Sequence, residues 1–219
     1  MSTFFELDCG GETVTIEKTD DGDFIFHGWD EETELAAIEL GFEPSLCLIA
    51  WNAINEDRIN DELFRQSRIG DSVAIQALLF VGASVDAGNI YTLSPLRYAA
   101  ANGHADVVKI LLDAGASVDT KTRTRWTPLH YAAMWGHTDI AKVLLESGAN
   151  VSANDRVGKT PLHHAARYGH YDVAKILLEA GANVSAKDNN GMTPLRIASK
   201  FAQPGVAKII KAWIREHGT

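Results

Sequence analysis

The sequence predicts a mainly α-helical solenoid of about five helix-turn-helix units. A small α+β segment, a β-meander plus two helices, precedes it. Three observations predict this. The stretch TPLHYAAMWGH at 127–137 comes back as TPLHHAARYGH at 160–170. The Ser or Thr that opens such a stretch falls at Ser94, Thr127, Thr160 and Thr193, so every step is 33 residues. The endings LLFVGASVDA, LLDAGASVDT, LLESGANVSA and LLEAGANVSA recur in the same phase. One unit of this kind cannot hide its apolar face, but a stack can.

The N-terminal part, 1–60, carries no repeat and resembles no family. TFFEL, ETVTIEK and DFIFHG read as three short strands, with DDGD as a hairpin turn between the last two. DEETELAAIELG, with acids in its first turn, suits a helix. EPSLCLIAWNAINE suits a second, more apolar one. Its stripe of Leu46, Ile49, Ala50, Ala53 and Ile54 is expected to dock on the first repeat.

The repeats divide 61–219 into units 61–93, 94–126, 127–159, 160–192 and 193–219. In the third, Thr127 is a good N-cap, and Pro128 sits where a first helical turn tolerates a missing N–H. Leu129, Ala132 and Ala133 are spaced i, i+3, i+4 and share one face. Gly136 stops this inner helix. TDIAKVLLES forms the outer helix, with Ile140, Val143, Leu144 and Leu145 as its stripe, and Gly148 ends it. Asp, Asn and Gly in ANVSANDRVGK then make a projecting turn. The first unit lacks the Thr-Pro start and carries Arg65, Gln66 and Arg68; the last ends in the more polar KIIKAWIREH. Both are expected to be caps. The third unit's turn, DTKTRTRW, lacks the expected Asp and Gly and gathers Lys121, Arg123 and Arg125, so it is expected to be a weakened turn.

The 33-residue period with Thr-Pro-Leu-His, Ala-Ala, Gly-His and Leu-Leu-x-x-Gly-Ala resembles the ankyrin-repeat family over 61–219. The resemblance implies a module that binds another protein through its turn tips and concave inner-helix face. What varies between units is free to serve that purpose. The tip positions are Ile90, Tyr91 and Leu93; Arg123, Thr124 and Trp126; Arg156, Val157 and Lys159; Asn189, Asn190 and Met192. The inner-helix pairs are Ala101 and Asn102, Met134 and Trp135, Arg167 and Tyr168, Lys200 and Phe201. Tyr131, Met134 and Trp135 share a face distinct from that of Leu129, Ala132 and Ala133. Trp, Tyr, Arg and Met are the residue types enriched at interfaces. The expected contacts are Tyr91, Arg123, Trp126, Tyr131, Met134, Trp135, Arg156, Arg167 and Tyr168.

Other chemistry has little to stand on in the sequence. His130 and His163 belong to Thr-Pro-Leu-His, and His104, His137 and His170 to Gly-His. All five are expected to bridge loops by hydrogen bonds. Adjacent His163 and His164 point apart on a helix and make no metal pair. No HExxH, CxxC, GxSxG or P-loop pattern occurs. Cys9 and Cys47 are expected to be free thiols. No catalytic residue, metal or cofactor is expected. At net −9, nucleic acid and anionic membrane are disfavoured as partners. The longest apolar runs are too short to span a bilayer. The start shows no basic region followed by an apolar stretch, so the cytoplasm is the expected compartment. The free protein is expected to be monomeric. Charge is unevenly spread. Residues 1–60 hold fifteen Asp or Glu against two Lys or Arg, a net of −13, and 61–219 hold fourteen against eighteen, a net of +4. This leaves two alternatives to a plain binding module. One is an inhibitor or immunity protein that occludes an enzyme or toxin with help from the acidic segment. The other is an adaptor carrying a small enzyme head.

Overall fold

A computed structural model describes residues 3–8, 13–18, 24–27, 59–80, 82–88 and 94–218. The chain divides into two compact units, 1–66 with 71–84, and 67–70 with 85–219. In the first, β1 (Thr3–Asp8), β2 (Thr13–Lys18) and β3 (Phe24–His27) form an antiparallel sheet in that order. Phe5 pairs with Ile16, and Ile16 with Phe26. The segments are rich in Thr, Phe, Val and Ile, which suit a pleated backbone. The expected turn at 20–23, the expected helices over 30–41 and 43–56 with the stripe at 46–54, and both cysteines lie outside the described residues.

Helix α1 (Ile59–Ile69) and helix α2 (Ser72–Phe80) follow. Leu63, Ile75 and Leu78 are fully buried. Of the three polar residues singled out in the first repeat, Arg65 and Arg68 are exposed. Gln66 is buried, and its amide donates to Glu62 at 2.6 Å.

The second unit contains four helix pairs: α3 (Pro95–Asn102) with α4 (Ala105–Asp113), α5 (Pro128–Trp135) with α6 (Thr138–Glu146), α7 (Pro161–Tyr168) with α8 (Tyr171–Glu179), and α9 (Pro194–Lys200) with α10 (Pro204–His217). Inner helices α3, α5, α7 and α9 pack side by side in one layer, and outer helices α4, α6, α8 and α10 in a second. Each inner helix is short for a local reason. Proline opens it behind a Ser or Thr cap, and in α3, α5 and α7 a left-handed glycine closes it. Leu96, Leu129 and Leu162 have no exposed surface, nor do the Ala pairs that follow them. Burying one such leucine contributes about 2 kcal/mol, and the small alanines let neighbouring helices approach.

The outer stripe differs slightly from expectation. Ile140, Ala141 and Leu144 are buried, while Val143 and Leu145 are half-buried. Alanine is small enough to serve the interior here, which moves the larger Val143 and Leu145 to the flanks.

Hydrogen bonds stitch unit to unit at three levels. His104 Nε2 donates to the Arg68 carbonyl and His170 Nε2 to the Met134 carbonyl, each at 2.9 Å. Gln203 repeats the bond in the last unit, to the Arg167 carbonyl at 3.4 Å. Asn150 N–H donates to the Asp119 carboxylate. At the tips, Arg156 N–H donates to the Thr124 carbonyl (2.9 Å) and Asn189 N–H to the Val157 carbonyl (3.0 Å). The packing under the imidazoles is close. A Cβ on Gly136 would lie 2.5 Å from His170 Nδ1, and the residue's φ is +76°.

The turn at 121–126 keeps its hairpin although the expected Asp and Gly are missing. Thr122 N–H donates to the Trp126 carbonyl at 3.0 Å, as Asp155 N–H does to Lys159 at 2.9 Å. The Thr122 hydroxyl accepts from Trp126 N–H at 3.1 Å, replacing a carboxylate oxygen of Asp155. Arg125 takes the left-handed conformation, φ +63°, that Gly158 and Gly191 hold in the next two tips. The hairpin is kept, with a hydroxyl for the carboxylate and a strained arginine for the glycine.

Candidate functional site

The geometry begins at the histidines of Thr-Pro-Leu-His. Nε2 of His130 faces the Lys159 carbonyl at 3.1 Å, and Nε2 of His163 faces that of Met192 at 3.0 Å. A carbonyl only accepts, so Nε2 carries the proton. Nδ1 is then bare and accepts from the backbone N–H of Thr127 or Thr160. Each imidazole thus caps its own helix and holds the next tip. Both are fully buried. Burial first, then the neighbouring His164, pushes His130 down to about 4. Burial likewise lowers His163. They are neutral struts, and His130 and His163 make the expected hydrogen-bonded bridges to the next tip.

His164 stands one residue on and points elsewhere. Its Nε2 meets Asp155 Oδ2 at 3.1 Å, and its Nδ1 is buried with no partner among the described residues. Burial pushes the Asp155 carboxyl upward, but hydrogen bonds from His164, Lys159 N–H and Val157 N–H outweigh it and hold the group below its ordinary value. Asp155 therefore ties a tip to the inner helix behind it.

On this frame lie two groups of aromatic and cationic side chains. The first runs from tip to inner helix. Half-buried Trp126 has its ring 5.0 Å from Tyr131, 4.4 Å from His164 and 5.8 Å from His130. Arg97 also stands against Tyr131, its guanidinium carbon 5.1 Å from that ring and 4.4 Å from Tyr98. The second group is exposed. Trp135, Tyr168 and Phe201 occupy the same phase in three consecutive units, the first two at the C-terminal ends of α5 and α7 and Phe201 just after α9. They keep 56%, 41% and 39% of their surface in water. Half-buried Arg167 lies 5.6 Å from the Tyr168 ring and 4.6 Å from Phe201.

Thus the structure brings together Tyr131 with Trp126, and Arg167 with Tyr168. Trp135 stands exposed in line with Tyr168, and Met134 is half-buried beside it in sequence. Arg123 and Arg156 are exposed at the tips. Tyr91 lies outside the described residues. Sequence reasoning passed over Arg97, whose signal was the departure of SPLR from TPLH, and Tyr98, which sits one helical position from it. Phe201 was noted only as a variable position. No cluster of His, Cys, Asp or Glu able to hold a metal occurs among the described residues. Nor, among them, is any helix long and apolar enough to cross a membrane.

A two-layer stack of helix pairs with projecting, hydrogen-bonded tips defines a helical repeat protein. The family model for ankyrin repeats (3 copies) matches residues 63–155 and 150–214. The chain belongs to the ankyrin-repeat family. Such repeats are in general a protein–protein interaction module, and the family is typically non-enzymatic. No curated protein matches the chain.

Proposed function

We propose that this stack binds a partner protein along its inner-helix face and turn tips, without catalysis of its own. The contacts are Tyr91, Arg123, Trp126, Tyr131, Met134, Trp135, Arg156, Arg167 and Tyr168, and the described geometry adds Phe201. The observation that carries the reading is the exposed row of Trp135, Tyr168 and Phe201, repeated in phase and flanked by Arg167. Stacking does not require large rings there: the equivalent residue of α3 is Asn102. Aromatic and arginine side chains dominate binding hot spots, and a prebuilt face loses little entropy on association.

A photo-crosslinking side chain at Tyr168, compared with one at exposed Lys142 on α6, tests the reading in the native cell. The partner should be captured from position 168 and not from 142. Against the purified partner, a Trp135→Ala, Tyr168→Ala double variant should lose at least about tenfold in affinity. Capture from position 142 alone would refute the assignment. The inhibitor reading draws on the −13 charge of residues 1–60. Charge reversal within 12–43 separates the two, abolishing binding if the acids contribute and sparing it otherwise.

A further inference from the structure

Arg97 holds the place that histidine holds in the next two units, yet it does neither of histidine's jobs. Among the described residues its guanidinium neither caps α3 nor reaches the following tip; there the Trp126 carbonyl, equivalent to those of Lys159 and Met192, receives only Thr122 N–H. Instead the group lies against Tyr98 and Tyr131. Only 9% of the residue is exposed, and its Nε is buried with no partner among the described residues. The rings attract the cation but cannot accept its N–H groups in the plane of the guanidinium. A buried N–H of a cation left without an acceptor is costly to keep, and histidine was available at this position.

We propose that Arg97 is the anchor for an acidic side chain of the partner, whose carboxylate completes the guanidinium between Tyr98 and Tyr131. This rests on the inner-helix face being the partner face. A planar carboxylate matches the guanidinium fork, and one charge balances one. A phosphoryl dianion would need a second cation, and among the described residues Arg97 is the one cation over these two rings. The half-buried Tyr98, Tyr131 and Trp126 make the walls apolar, so the acid should be flanked by apolar residues.

The test follows the Arg97 Nε–Hε resonance in the full chain. The probes are acetyl-Leu-Glu-Leu-amide, its Gln counterpart and inorganic phosphate. The Glu tripeptide should shift the resonance saturably, with the Gln version at least about tenfold weaker and phosphate inert. Arg97→His should not lower the melting temperature, since His130 and His163 fill this place in the next two units and their bonds would relieve the unpaired Nε, and it should abolish the response of Tyr131 and Trp126 to the Glu tripeptide. Equal responses to Glu and Gln, no response at all, a response to phosphate alone, or unchanged binding by Arg97→His would each overturn the anchor. If position 168 still captures a partner while Arg97 is silent, the anchor fails and the binding face stands. If Arg97 answers the Glu tripeptide but capture comes only from Lys142, the acid-binding site stands, but the face and with it the anchor for the partner fail.

Discussion

The buried imidazole of His130 makes the fold sensitive to acid in a calculable way. Its folded value is about 4 against an ordinary 6.5. The folded state thus favours the neutral ring. The stability this represents is fully present above pH 6.5 and is lost as pH falls from there toward 4. At pH 5 the unfolded chain has taken up the proton almost completely and the folded chain hardly at all. The linkage then removes about 2 kcal/mol relative to pH 7.5. His130→Gln deletes the titration while leaving Asp155, His163 and the other groups in place. Urea midpoints at pH 7.5 and 5.0 for wild type and variant isolate the contribution. The variant should start less stable but lose about 2 kcal/mol less on acidification. Equal losses in both proteins would refute the account of a neutral strut between the Thr127 cap and the Lys159 carbonyl.

Four further outcomes are expected. Arg125→Gly should stabilise the protein by about 0.5–1 kcal/mol, because φ +63° strains an arginine and suits a glycine; an unchanged melting temperature would argue against that strain. Gly136→Ala should lower the melting temperature well beyond Gly115→Ala. Both have positive φ, but only at 136 would the new methyl strike the imidazole of the next unit. Trp126→Ala should cost about 1–3 kcal/mol in thermal unfolding, since the ring covers Tyr131 and His164. Trp135→Ala should stay within about 0.5 kcal/mol, since that ring stands in water.

The repeat itself was plain in the sequence, because everything that builds one unit is local. Thr127, Pro128, Leu129 and Gly136 specify a capped, one-faced helix within ten residues, and the 33-residue phase counts the units. What escaped depends on neighbours about a unit away. The tip at 121–126 looked degraded because its Asp and Gly are missing, yet Thr122 and Arg125 supply the acceptor and the positive φ, and Arg156 N–H of the next tip bonds to its Thr124 carbonyl. Trp126 was placed at a tip, but its ring lies over two inner helices. Arg97 went unnoticed because what it leans on, Tyr131, lies 34 residues on. Periodicity tells which positions are free; only packing tells where their side chains go.

The stitches between units reach just one module away: imidazole to the carbonyl behind at His104 and His170, tip amide to the tip before at Arg156 and Asn189. A duplicated copy of 160–192 would therefore arrive carrying both halves of each new seam. The array can grow or shrink by whole modules without any residue elsewhere being redesigned, so its length is the property of this protein most easily altered by genetic accident.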